Sequence, residues 1–105
     1  MAASGGGGRL GGRTEIKDVK SNKEIQDLGK YSVEEYNSRK SSKNREQLTF
    51  SAVVKAEKQV VSGIKYYLTI EATQKDGVLK SFDAVVVVKP WIKSKQLLRF
   101  VPSTN

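Results

Sequence analysis

The chain has 105 residues with 37% hydrophobic residues and a net charge of +8, enough for one domain with one modest core. It contains neither cysteine nor histidine, which excludes disulfides, thiolate metal sites, a thiol nucleophile and the usual general base near neutral pH. Glu34-Glu35 is the sole adjacent acidic pair, and its side chains diverge on a helix, so no enzyme activity, metal centre or cofactor is expected.

Residues 1–13 hold six of the nine glycines and read as a flexible segment ahead of a folded domain at 14–105. Residues 1–8 fit a tag or linker, while Leu10-Gly11-Gly12 places one apolar side chain before two glycines. Met1-Ala2-Ala3-Ser4-Gly5 lacks the apolar centre of a signal peptide. Localisation therefore stays open between a cytosolic chain and a secreted one whose signal was removed. Thr14 to Val19 alternates weakly and suggests a short edge strand. A helix follows, with Ser21 and Glu24 spaced as a capping box. Ile25, Leu28, Ser32, Val33 and Tyr36 recur at helical spacing, with Lys23, Gln26, Asp27, Lys30, Glu34 and Glu35 largely on the other side. Gly29 costs this helix about 1 kcal/mol relative to alanine, and its expected role is to let the helix lie close to a sheet.

The densest basic run, Arg39-Lys40-Ser41-Ser42-Lys43-Asn44-Arg45, reads as a solvated loop after the helix. The remaining cations are dispersed from Arg9 to Arg99, so neither a nucleic-acid nor a membrane partner is expected. Three strand patterns come next. Leu48, Phe50, Ala52, Val54 and Ala56 form one apolar face, and Ile64, Tyr66, Leu68, Ile70 and Ala72 form a second. Gln74-Lys75-Asp76-Gly77 is a turn signal. The third strand runs from about Val78 through Phe82, Ala84, Val86 and Val88, and Pro90 ends its pairing. A last strand spans Gln96 to Val101. The fold class is thus α+β, a single helix packed on a four- to five-stranded antiparallel sheet.

Gln59-Val60-Val61-Ser62-Gly63 joins the first two long strands, and two β-branched apolar residues are unusual at a hairpin tip. Connections in a meander alternate between the ends of the sheet, so this turn and the one at Pro90-Trp91 share an end. The chain before the first strand can reach it too. Leu10-Gly11-Gly12, Val60-Val61 and Pro90-Trp91 then project together as a narrow apolar edge suited to a cleft.

These residues resemble the cystatins, inhibitors of papain-like cysteine proteases. Gln59-Val60-Val61-Ser62-Gly63 matches their Gln-x-Val-x-Gly signature, and Leu28-Gly29-Lys30-Tyr31-Ser32-Val33-Glu34-Glu35-Tyr36-Asn37 is similar to the helix signature of plant members. Lys89-Pro90-Trp91 resembles the second-hairpin motif and Gly11-Gly12 the glycine of the N-terminal trunk. Two features depart from the pattern: Gly29 stands for the usual alanine, and Val85 to Val88 is more uniformly apolar. The second, legumain-inhibiting domain of extended plant members is not expected in these residues.

The resemblance implies a reversible, competitive inhibitor that inserts a three-part wedge into the protease cleft. Val60, Val61 and Trp91 would bury apolar surface in it, with Gln59, Ser62 and Pro90 in the same loops. Leu10 would occupy acyl-side subsites, Gly11 or Gly12 would let the trunk bend, and Gly63 would permit close backbone approach. A monomer is expected. Strain at Val60-Val61 would favour opening the hairpin, so that two chains exchange the first strand and helix in a swapped dimer. The competing readings are a non-inhibitory or engineered scaffold of the same fold, and a basic nucleic-acid-binding module. The latter needs several aromatics on the sheet face, where Tyr67 is alone.

Overall fold

The computed structural model describes residues 12–39 and 47–104. Strand β1 (Arg13–Glu15) leads through a 3-10 turn at Val19–Ser21 into helix α1 (Lys23–Arg39). Strands β2 (Thr49–Val61), β3 (Gly63–Thr73) and β4 (Leu79–Lys89) follow, then a 3-10 turn at Pro90–Ile92 and strand β5 (Ser94–Pro102). All five strands form one antiparallel sheet in chain order.

Both layers carry one apolar face, and the core is where they meet. Ile25, Leu28 and Val33 of α1 pack on Val53, Leu68, Ile70 and Val86 of the sheet, all buried. Ser32 is fully buried in this face and donates its hydroxyl hydrogen to the Leu28 carbonyl at 2.8 Å, so it leaves no unsatisfied polar atom. At the helix's other end Tyr36 stacks on Phe100 at 4.6 Å, and Phe100 stacks on Phe82 at 5.2 Å. The expected closeness at Gly29 is realised: a β-carbon there would collide with Val53 Cγ2 and approach Phe50 Cε1 to 2.8 Å. Alanine's better helix propensity is therefore outweighed by overpacking.

Several expectations are corrected. The helix cap is Asn22: its Oδ1 accepts from the Ile25 N–H at 3.2 Å, while the Ser21 hydroxyl bonds back to the Asp18 carbonyl. Strand β1 is only three residues long, and Val19 is buried in the 3-10 turn after it. In β2 the inward phase slips. Register shifts fall between Phe50 and Ala52 and between Val53 and Lys55, so fully buried Val53, rather than Val54, faces Ile70. Beside this shift, where β1 no longer flanks β2, the Gln26 side chain takes the place of a neighbouring strand. Its amide donates to the Val53 carbonyl and accepts from the Val53 N–H, both at 3.0 Å, and also donates to the Val19 carbonyl at 2.9 Å. Gln26 thus lies between helix and sheet, contrary to its assignment to the polar side.

Two side chains of the helix reach the β5 edge of the sheet. Tyr31 donates its hydroxyl hydrogen to the Lys95 carbonyl at 3.1 Å, and the Arg39 guanidinium donates to the Leu97 carbonyl at 3.0 Å. Two β5 carbonyls that could template another strand are thereby occupied.

Candidate functional site

The register fixes which connections share an end. Val61 pairs with Gly63 around the single residue Ser62, and Ile64 pairs with Val88 on the next strand. Lys89 pairs with Ser94 around the Pro90–Ile92 turn. The β2–β3 and β4–β5 connections are therefore neighbours. Arg13 pairs with Gln59, so exposed Gly12, the residue before it, enters at the same end. Leu10 and Gly11 lie outside the described residues, as do residues 40–45 of the basic run.

The apolar side chains at this end face solvent. Trp91 is 65% exposed, Val60 37% and Val61 36%. Ile92, which the sequence reading did not select, is 60% exposed beside Trp91. The overlooked signal is local: a proline-initiated 3-10 turn makes three consecutive residues project, so Ile92 cannot alternate back into the core. Pro90 occupies the first turn position, where its missing N–H costs nothing. Lys93 closes the turn with φ 50° and donates its N–H to the Pro90 carbonyl at 3.1 Å. Of the seven exposed large hydrophobics among the described residues, these four share the end, Leu98 lies within β5, and Val78 and Leu79 follow the β3–β4 turn at the other end.

Backbone geometry at the first hairpin differs from the expectation of strain at the valines. Val60 and Val61 lie in paired strand, and Gly63 carries the unusual conformation, with φ 132°. Gly63 is buried. A β-carbon on it would lie 2.8 Å from the Val88 carbonyl oxygen and 3.1 Å from Lys89 Cγ. Its first duty is thus intramolecular, letting the two loops nest together.

Gln59 is held from the open face of the sheet. The Tyr67 hydroxyl donates to Gln59 Oε1 at 2.6 Å, and the Arg13 guanidinium carbon stacks 3.6 Å from the Tyr67 ring centroid. Arg13 also reaches Glu57 at 3.3 Å. The edge strand and the first hairpin are consequently tied by one stacked, hydrogen-bonded cluster, and one face of Tyr67 is already taken. Among the described residues no group of three or more acidic side chains could hold a metal, and no helix is long and apolar enough to cross a membrane.

Comparison with known proteins adds relatives to this geometry. Residues 16–103 match a family model described as aspartic acid proteinase inhibitor. The chain is 52% identical over 105 residues to cysteine proteinase inhibitor 5 of Oryza sativa subsp. japonica, covering 99% of this chain and 70% of the relative. It is 47% identical over 113 residues to cysteine proteinase inhibitor 4 of the same organism, covering 100% of this chain and 72% of the relative. In three dimensions it is similar to a salivary cystatin of the soft tick Ornithodoros moubata, with a TM-score of 0.70 over 90% of this chain and 99% of the tick protein at 20% identity. That similarity establishes the shared fold.

Proposed function

The chain belongs to the plant cysteine proteinase inhibitors, the phytocystatins, and from that membership we propose that it blocks papain-like cysteine proteases by lodging a wedge in their active-site cleft. The observation that carries this reading is the joint exposure of Val60, Val61 and Trp91 on two adjacent hairpin tips. The apolar area these side chains leave in water is worth about 25 cal/mol per Å², which insertion into an apolar cleft recovers. Gln59, Ser62, Gly63 and Pro90 shape the tips, and Leu10, Gly11 and Gly12 supply the third element. No bond is made or broken, so inhibition is reversible and competitive. The interface is of standard size, about 800 Å² per partner.

The monomer is the inhibitory form in this reading, and neither nucleic acid nor membrane takes part. Opening the β2–β3 hairpin would let two chains exchange β1 and α1, removing the tip. A size-fractionated dimer that still inhibits fully counts against the wedge.

The family description favours a second reading, inhibition of aspartic proteinases. Titration of papain and pepsin with the protein, each against a chromogenic substrate, separates the two. Stoichiometric loss of papain activity with pepsin untouched supports the wedge. Loss of pepsin activity alone transfers the function to the other class, and loss of neither leaves a non-inhibitory scaffold.

A further inference from the structure

The apolar tip is surrounded by charge of one sign. Residues 58–70 and 84–105 contain no aspartate or glutamate, yet they carry Lys58, Lys65, Lys89, Lys93, Lys95 and Arg99. The fold gathers four of these lysines round the tip. Lys65 pairs with Gln59 and Lys58 with Tyr66 in the first hairpin, while Lys89 and Lys93 bracket the turn that bears Trp91. The ion pairs among the described residues are Arg13–Glu57, Lys23–Asp27 and Arg39–Glu35, and none of them uses a lysine of this group. The nearby carboxylates are engaged or set back: Glu15, opposite Glu57, sits one register pair further from the tip than Lys58. Glu57 is held by Arg13, and Asp27 is held by Lys23 at 2.9 Å. Glu24 lines a shallow hollow with Val88 and Lys95 beside the start of α1, and the Lys95 ammonium lies 5.1 Å from the Tyr31 ring centroid. Lys95 therefore faces the helix and is left out of the group.

Four unneutralised cations around an apolar edge produce a field that extends about a Debye length into solvent, roughly 30 Å at 0.01 M salt and 3 Å at 1 M. A field of this kind acts on a partner before contact. It changes association rates by roughly 10- to 1,000-fold and leaves dissociation to the short-range apolar contacts. Every partner entering through the tip must bring its cleft rim against these lysines.

We infer that the collar of Lys58, Lys65, Lys89 and Lys93 makes the inhibitor select papain-like proteases whose cleft rim is acidic, by accelerating their capture. The inference rests on the wedge reading, and it assigns a target charge that the apolar residues alone do not specify.

Stopped-flow association with two papain-like proteases, one acidic and one basic at the cleft rim, tests it across ~0.01 to ~1 M salt. The comparison variant is Lys58→Gln/Lys65→Gln/Lys93→Gln, which keeps the stems and leaves Lys89 in place beside Gly63. Circular dichroism melting checks that it folds, and single Lys93→Glu, in an exposed turn, serves as the second variant. With the acidic-rim protease, the parent's association rate should fall at least about tenfold as salt rises. The triple variant should lose most of that dependence while its dissociation rate changes less than about twofold. With the basic-rim protease, both variants should associate faster than the parent. A salt-independent association rate, or a triple variant as fast as the parent, overturns the collar while inhibition of papain leaves the wedge standing. A parent that does not inhibit papain removes both.

Discussion

Gly63 and Trp91 belong to different hairpins, yet a β-carbon on Gly63 would come within 3.7 Å of Cη2 of the Trp91 ring and 2.8 Å of the Val88 carbonyl oxygen. The two tips therefore pack against each other at this glycine, which leaves no room for a β-carbon. With φ at 132°, any side chain there adds backbone strain of about 1–3 kcal/mol to the steric conflict. Gly63→Ala is expected to lower stability by at least that amount and to push the hairpins apart, speeding dissociation from papain. A thermal melt and a dissociation-rate measurement on the same sample check both effects. Unchanged values in both would mean that the hairpins do not depend on each other.

Trp91 and Ile92 make the opposite case. Both are mostly exposed, so truncation removes little folded-state packing. Trp91→Ala should cost on the order of 1–3 kcal/mol in binding papain, as a buried anchor does, with the melting temperature nearly unchanged. Ile92→Ala should show the same separation at smaller size. A drop in melting temperature matching the loss of affinity would mean that Trp91 serves the fold.

Two tyrosines tie stability to alkaline pH. Burial raises the Tyr66 phenol above its ordinary value, with the Glu24 carboxylate adding to it. Burial and then Glu35 raise Tyr31, against a smaller opposing effect of Arg39. In the unfolded chain these phenols titrate near pH 10. Above that pH the unfolded state binds fewer protons than the native one, so stability is fully present below about pH 10 and falls as pH rises through the raised native values. Tyr66→Phe keeps the ring and removes the titrating group. Its denaturant unfolding curves between about pH 8 and pH 11 should show a shallower loss of stability than the parent's; an identical slope refutes the assignment.

How much of this was legible in the sequence depended on the range of the interaction. Period-two patterns located β3 and β4 because these two strands pair with each other without a register shift, and the Asp76-Gly77 turn announced itself through a glycine with φ 86°. The common end of the Gln59–Gly63 and Pro90-Trp91 loops followed from meander topology alone. Slips occurred where distant groups decided the outcome. Val53 displaced Val54 because β2 carries two register shifts, which no local alternation records. Asn22 displaced Ser21 as the cap because the 3-10 turn at Val19–Ser21 occupied the serine first. Gly63 carries a constraint that its own motif does not reveal, because it comes from Val88 and Trp91 on another hairpin.

Gln26 carries the last of these long-range effects into a prediction. Strand β1 pairs only with residues 57–59 of β2, and further along β2 the Gln26 side chain bonds both the Val53 N–H and its carbonyl at 3.0 Å while also bonding the Val19 carbonyl. One amide thus joins the edge turn, the helix and the sheet. Removing it leaves buried backbone groups unpaired, at about 1–3 kcal/mol for each group that water cannot reach. Gln26→Ala and Gln26→Leu should both lower the denaturation midpoint. The leucine variant should recover little, because added apolar volume cannot replace the lost hydrogen bonds. Amide hydrogen exchange at Val53 should accelerate more than at Ile70, which neighbours it in β3. Slow exchange at Val53 in Gln26→Ala would show that the strand closes its own ladder and does not need the helix.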